Sequence, residues 1–209
     1  MTDEIGVEKY VAAVEPGVVI HAAAITSIRS CESDRTAAWK TNVGGTSNLI
    51  RACERRARKP YFVYISTACV FQGDKGNYVE TDVPYPKNFY AVTKLVGEQL
   101  TLNSHLARKL VARTNFVGRG KWAYARAFSD RYGTYLFADD VARALKSIVL
   151  ARLSGVVHIA GKKRMSIYDV AKLNNPEIKS MTMKDYRGPP LTIDMTLRSD
   201  RLMPYKISI

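Results

Sequence analysis

Short apolar runs alternate along the chain with longer segments that carry apolar residues at helical spacing. The short runs have the continuous apolar character of strands buried on both faces of a parallel sheet. They are Val18-Val19-Ile20, Tyr61 to Ser66, Leu110-Val111-Ala112 and Val156 to Ile159. The longer segments are Asn42 to Arg58, Tyr90 to Leu106 and Asp139 to Leu153. Because strands alternate with helices, the pattern predicts the α/β class, with a Rossmann-like doubly wound parallel sheet.

Composition and charge narrow the class of protein. The 209 residues contain no apolar run of about 18, so we expect no membrane partner. The cysteine count is odd (Cys31, Cys53 and Cys69) and no CxxC occurs, which favours a reducing, cytoplasmic setting. The net charge is +13, but the one dense basic run, Arg51 to Lys59, lies at a predicted helix C-terminus, where cations suit the helix dipole. We therefore expect no nucleic-acid partner.

Tyr90 and Lys94 form the strongest chemical signal. They are four residues apart on a predicted helix and so share one face. A lysine ammonium beside a phenol lowers the pKa of the phenol from about 10 towards neutrality, which makes the tyrosine usable as a proton donor or acceptor. The alternative interpretation of this pair alone is a solvated helix face.

Two further groups lie where ligands bind in parallel sheets, at the carboxyl ends of strands. Ser66-Thr67 ends the second strand, and the Thr67 hydroxyl could hold a carbonyl beside Tyr90. Alternatively, that hydroxyl bonds its own backbone in a turn. Ala22-Ala23-Ala24 follows the first strand, where small side chains permit either the close approach of a flat ligand or close packing of a helix.

At this point the chain resembles the extended short-chain dehydrogenase/reductases, and within them the dTDP-4-dehydrorhamnose reductase branch. The motifs that carry the resemblance occur in the order seen in that family. They are VVIHAAA, TNVGGTSNL from Thr41, ISTACVF, Glu80-Thr81-Asp82, YAVTKLVGE from Tyr90, ARTNFVG from Ala112, and His158-Ile159-Ala160-Gly161.

The resemblance implies a role for each matching residue. Tyr90 would protonate the C4 keto oxygen of a sugar, Thr67 would hydrogen-bond the same oxygen, and Lys94 would hold the nicotinamide ribose and tune Tyr90. The residues implied to lie at the cofactor, besides Tyr90 and Lys94, are Ala22, Ala23, Ala24, Asn42 and Ser66. Asn42 could act there by fixing loop backbone. Weaker candidates on the substrate side are Thr26, Cys69 and Phe116.

The resemblance also implies an organisation and a set of ligands. Residues 1–118 and 135–160 would form the nucleotide-binding core, and residues 119–134 and 161–209 a small C-terminal substrate-binding lobe. The expected cofactor is NADPH or NADH, with NADPH favoured, and a Mg²⁺ ion is left open. The expected substrate is a nucleotide sugar, and a homodimer is expected by analogy.

The chain departs from the family pattern in several places, and the segments Lys121 to Arg126 and Ala171 to Leu173 are shorter than the family's. No glycine-rich diphosphate loop precedes Val18, so we expect the N-terminal strands of the fold to be absent. Gly133-Thr134-Tyr135 lacks the Pro-Thr pair that the family usually carries there.

Three alternatives stay open. One is a related sugar-nucleotide epimerase or dehydratase, although dehydratases usually carry Asp-Glu where Ala68-Cys69 stands. A second is a non-catalytic regulatory subunit, as in the beta subunit of methionine adenosyltransferase. The third is a nucleic-acid binder, since fold alone does not settle function.

Overall fold

The computed structural model describes residues 1–120 and 122–208; Lys121 and Ile209, both in the predicted lobe, lie outside the described residues. The α-helices are α1 (Glu4–Val14), α2 (Ile28–Ser33), α3 (Arg35–Trp39), α4 (Gly45–Glu54), α5 (Phe89–Leu102), α6 (Ala138–Leu150) and α7 (Ile167–Asn174). The longer strands are β1 (Val18–His21), β2 (Tyr61–Thr67), β3 (Lys109–Thr114) and β8 (Gly155–Ile159). The shorter strands are β4 (Phe116–Val117), β5 (Arg126–Phe128), β6 (Tyr132–Gly133), β7 (Leu136–Phe137), β9 (Met165–Ser166), β10 (Lys179–Met181) and β11 (Asp194–Met195).

The central sheet is parallel and has the strand order β1-β2-β3-β8, so each of the four predicted strands is confirmed. Successive side chains of a strand point to opposite faces, and both faces of β2 are buried. Tyr61, Val63 and Ile65 pack with α6, whereas Phe62 and Tyr64 pack with α1 and α4. Helices on both faces confirm the doubly wound α/β class.

All three predicted helices end earlier in the structure than their apolar pattern indicates; the helix predicted to reach Leu153 ends at Leu150. The helix predicted to reach Leu106 ends at Leu102, because Asn103 and Ser104 donate side-chain hydrogen bonds to carbonyls of the last turn. Leu106 is buried in the core all the same, which explains its apolar character. The helix predicted from Asn42 to Arg58 ends at Glu54 and begins as a π-helical turn at Lys40–Gly44.

The dense basic run has a structural role. Helix α1, which the apolar pattern did not predict, packs on α4 and buries Val11. The Glu8 carboxylate of α1 accepts hydrogen bonds from Arg55 and Arg56, just beyond the end of α4. These arginines therefore join two helices.

The short strands form three small sheets beside the main one, with the orders β10-β5, β11-β6-β9 and β4-β7. Strands of two or three residues carry no periodic signal, so they were not predictable from the sequence. They come from residues 116–137 and from the chain after 161, and the division into a core and a lobe stays a prediction.

All three cysteines are buried and free. Across residues 1–120 and 122–208, none of the helices combines the length and the apolar character needed to cross a lipid bilayer.

Candidate active site

A cavity of about 760 Å³ opens at the carboxyl ends of β2 and β3, where a parallel sheet places ligands. Most of the predicted site residues line it. They are Ala22, Ala24, Thr26, Ser66, Thr67, Cys69, Tyr90, Lys94 and Phe116. The predicted residues Ala23 and Asn42 do not line this cavity.

The N-terminus of α5 fixes the position of Tyr90. Asn88 caps the helix: its side chain accepts a hydrogen bond from the Ala91 amide (3.0 Å) and donates one to the Pro190 carbonyl (3.0 Å). The Phe89 amide donates to a carboxylate oxygen of Glu32 in α2 at 2.7 Å. The first turn of α5 is thus attached both to α2 and to the C-terminal part of the chain.

The phenol of Tyr90 is held in its protonated form. Burial raises its pKa above the usual range, and the Thr67 hydroxyl acts in the opposite direction. The expectation that Lys94 lowers the pKa of Tyr90 towards neutrality is therefore wrong, because burial penalises the phenolate. A protonated phenol is the form that can donate a proton.

Lys94 is buried, with 3% of its surface exposed. Its ammonium lies 4.1 Å from the centre of the Tyr64 ring, in a cation–π contact. Burial lowers the pKa of Lys94 to about 8, and nearby Glu98 opposes the shift. At pH 7 the cavity thus contains a buried positive charge.

The Thr67 hydroxyl is bonded in a way that leaves its proton available. Its oxygen accepts a hydrogen bond from the Cys69 amide at 3.1 Å, so the turn interaction considered as the alternative is present. A hydroxyl that accepts one bond can still donate another. The turn fixes Thr67 and leaves its hydroxyl able to donate to an oxygen in the cavity, the Tyr90 phenol or a ligand.

A buried ion pair that sequence reasoning missed lies behind the site. Glu98, on α5, receives two hydrogen bonds from Arg113 of β3, at 3.0 and 2.7 Å. The predicted cofactor residue Ser66 donates its hydroxyl proton to the same carboxylate. Glu98 is four residues after Lys94 on one helix, and this spacing was the available signal.

Asn42 anchors the loop that follows β1 rather than lining the cavity. Its side-chain oxygen accepts from the Ile25 amide (2.7 Å), and its nitrogen donates to the Ile25 carbonyl (3.0 Å) and to Thr93 (3.0 Å). The loop is thereby attached to α5, as the sequence suggested. Ala23 faces a second, apolar groove of about 720 Å³ between α1 and β1.

The lining of the cavity is positively charged. Arg29, Arg126 and Arg131 join Lys94 along it, whereas no aspartate or glutamate occurs among the described lining residues. Such a surface attracts polyanionic ligands. The net charge of the sequence signalled a basic protein, but it did not locate these arginines.

The residues that the structure describes contain no group of three or more His, Cys, Asp or Glu side chains able to hold a metal ion. The open possibility of a Mg²⁺ ion therefore has no support in this structure.

The parallel sheet with two covered faces, and the cavity at its strand ends, define a Rossmann-like α/β protein. Residues 1–187 match the family described as the RmlD substrate binding domain. Since the match spans most of the sequence, the chain belongs to this family.

Named relatives agree with that assignment. The chain is 32% identical over 176 residues to dTDP-4-dehydrorhamnose reductase of Mycobacterium tuberculosis, a match that covers 74% of this chain and 57% of the relative. It is 28% identical over 181 residues to the methionine adenosyltransferase 2 subunit beta of Rattus norvegicus, covering 75% of this chain and 53% of the relative. The chain thus spans just over half the length of these relatives.

Among solved structures, a hypothetical dTDP-4-dehydrorhamnose reductase from Sulfolobus tokodaii superimposes with a TM-score of 0.85. Its sequence is 29% identical, and the superposition covers 100% of this chain and 82% of that one.

Proposed function

We propose that the protein is a reductase that uses NADPH to reduce the C4 keto group of a dTDP-linked deoxysugar. The name of its Mycobacterium tuberculosis relative, dTDP-4-dehydrorhamnose reductase, supports the sugar and the reduction. The observation that carries the proposal is the convergence of Tyr90, Thr67 and Lys94 on one cationic cavity at the strand ends. The three side chains supply a proton, a hydrogen bond and a positive charge at one place.

The residues present fit a nicotinamide cofactor. Lys94 is buried and, within the described residues, has no ion-pair partner, so its ammonium is available to ribose hydroxyls. Ala22 and Ala24 line the cavity with small side chains that allow a flat ring to approach closely. When bound, NADPH would supply the hydride, and the protein would supply position and one proton.

The proton chemistry belongs to two residues. Tyr90 donates its phenolic proton to the keto oxygen as the carbonyl is reduced, and Thr67 donates a hydrogen bond to the same oxygen. The phenolate that forms is costly in a buried site. The Lys94 ammonium, which lines the same cavity, would offset that cost by electrostatic attraction.

The arginines of the cavity support a nucleotide-diphosphate substrate, because two phosphates need several cationic partners where no carboxylate competes. The protein would act in the cytoplasm, the reducing compartment that three free cysteines favour. A homodimer stays a prediction by analogy.

The test is NADPH oxidation with dTDP-4-dehydrorhamnose, using the full-length gene product. Tyr90→Phe should lower turnover at least about 100-fold, the usual scale for loss of a general acid. Tyr85→Phe is the matched control, because Tyr85 is 63% exposed and lies outside the cavity. It should retain the wild-type rate.

A different result would favour the second candidate. If the wild type binds cofactor but does not oxidise it, the protein is better described as a regulatory subunit, like the methionine adenosyltransferase relative at 28% identity. Stable co-purification with a larger synthetase would then be expected. Equal turnover by the wild type and Tyr90→Phe would contradict the role of Tyr90.

A further inference from the structure

Tyr135 presents a buried hydroxyl that has no hydrogen-bond partner among the described residues. Its side chain is 7% exposed and lines the same cavity as Tyr90. Buried polar groups in folded proteins nearly always have a partner, so each exception needs an explanation. The indole N–H of Trp122, also on the cavity wall, is unpartnered in the same way.

The surrounding backbone fixes the Tyr135 ring. A side chain at Gly133 would come within 2.8 Å of the ring, so the glycine makes room for it. The carbonyl of Tyr135 packs against Gly161, and the amide of the next residue, Leu136, donates to the Asn115 carbonyl at 3.1 Å. The backbone that carries the phenol is therefore held in place, and Gly133 leaves room for the ring.

Neighbouring contacts place Tyr135 on the same side of the cavity as Thr67. Tyr135 packs in one buried cluster with Cys69 and Met195. The Met195 sulfur lies 3.4 Å from the Cys69 sulfur and 3.3 Å from an Arg131 nitrogen. Cys69 belongs to the turn that fixes Thr67. The free phenol thus lies near the residues proposed to hold the reacting carbonyl.

The chemistry of the lining determines what the hydroxyl can bind. Burial raises the pKa of Tyr135, so the phenol keeps its proton. No carboxylate occurs among the described lining residues to accept that proton. Since the hydroxyl has no partner among the described residues, an oxygen of a bound ligand can serve as its acceptor.

We propose that Tyr135 is a specificity-determining residue whose hydroxyl donates a hydrogen bond to an oxygen of the sugar in the bound nucleotide sugar. This inference rests on the proposed function and adds to it a residue that reads the sugar rather than the nucleotide. It also gives a purpose to the Gly133-Thr134-Tyr135 segment, where the sequence departs from the family pattern.

Tyr135→Phe tests the proposal because it removes the hydroxyl and keeps the ring. We expect the melting temperature of the free protein to stay the same or rise, since an unpaired buried polar group is lost. We expect affinity for dTDP-rhamnose, the stable product of the proposed reaction, to fall roughly 3- to 10-fold, the range for one hydrogen bond. Affinity for dTDP alone should not change, because dTDP lacks the rhamnose unit.

Tyr78→Phe is the matched control. The Tyr78 hydroxyl accepts from the Gly73 and Asp74 amides and donates to the Asp74 carboxylate, and it lies outside the cavity. Its loss should lower the melting temperature and leave both affinities at the wild-type level. Tyr135→Phe should therefore lose affinity for dTDP-rhamnose without losing stability, whereas Tyr78→Phe should lose stability without losing affinity.

Every other outcome contradicts one particular claim about Tyr135 or about the proposed function. Equal affinity of the wild type and Tyr135→Phe for dTDP-rhamnose overturns the role of Tyr135 and leaves the proposed function standing. An equal loss of affinity for dTDP and dTDP-rhamnose overturns the assignment to the sugar. A lower melting temperature for Tyr135→Phe shows a structural role instead. A wild type that binds neither ligand overturns the proposed function, and the inference with it.

Discussion

At the scale of single residues, one cavity brings together Thr67 from the end of β2 and Tyr90 and Lys94 from α5. Tyr90, Lys94 and Thr67 were predictable because their spacing along the chain reflects shared helix faces and strand ends. Tyr135 and Arg131 were not, because each directly precedes a strand of only two residues, which carries no periodic signal. The raised pKa of Tyr90 was not predictable either, because it depends on burial, which residue spacing does not reveal.

Lys94 gives a prediction about pH at this scale. Burial lowers its pKa to about 8, so the ammonium is lost as the pH rises through 8. We expect kcat/KM to fall above about pH 8, because the charge that offsets the phenolate disappears. A rate profile between pH 6 and 10 measures this.

Deprotonation of Lys94 does not destabilise the folded protein. Unfolding caused by this group therefore cannot explain the predicted fall in kcat/KM. Its pKa is depressed in the folded state, so the unfolded chain binds more protons between pH 8 and the ordinary lysine value of 10.5, and this group makes the folded state more stable as the pH rises through that window. Circular dichroism at each pH provides the control. A rate that stays constant to pH 10 would contradict the role given to the Lys94 charge.

At the scale of elements, the long apolar segments were predictable, whereas the short strands and helix α1 were not. The four main strands and the helices α4, α5 and α6 follow from hydrophobic periodicity. Helix α1 buries only Val11, so its sequence shows little apolar pattern. The early end of α5 depends on side-chain hydrogen bonds of Asn103 and Ser104, which compete with further helix.

The packing of α5 on the sheet gives a prediction at this scale. A methyl group at Gly97 would come within 2.2 Å of the Tyr64 hydroxyl, and Tyr64 is the ring under the Lys94 ammonium. We expect Gly97→Ala to lower the free energy of unfolding by about 1–3 kcal/mol, because the helix or the ring must shift. Urea denaturation measures this loss.

Gly17→Ala is the matched control, because an added methyl group there meets nothing within 4 Å. Its effect should stay within about 0.5 kcal/mol, as for most exposed substitutions. Equal stability of the two variants would show that α5 does not pack on Tyr64 as described.

At the scale of the whole molecule, charge and topology act together. The parallel order of β1, β2 and β3 brings the loops after three strands to one edge, where Ala24, Thr67 and Asn115 line one cavity. The net charge of +13 was visible in the sequence. The sequence did not show that four cationic side chains line one cavity whose described residues include no carboxylate. The arginines come from segments far apart in the chain, which only the fold brings together.

The transfer of an isotope from labelled cofactor to sugar tests the central claim most directly. The protein would be incubated with dTDP-4-dehydrorhamnose and NADPH that carries deuterium at the transferable position of the nicotinamide. We predict a dTDP-rhamnose product with deuterium at C4 of the sugar, seen by mass spectrometry and NMR, and no such product from Tyr90→Phe within the same time. Oxidation of NADPH without deuterium at C4, or unchanged keto sugar after prolonged incubation with the wild type, would contradict the proposed reaction.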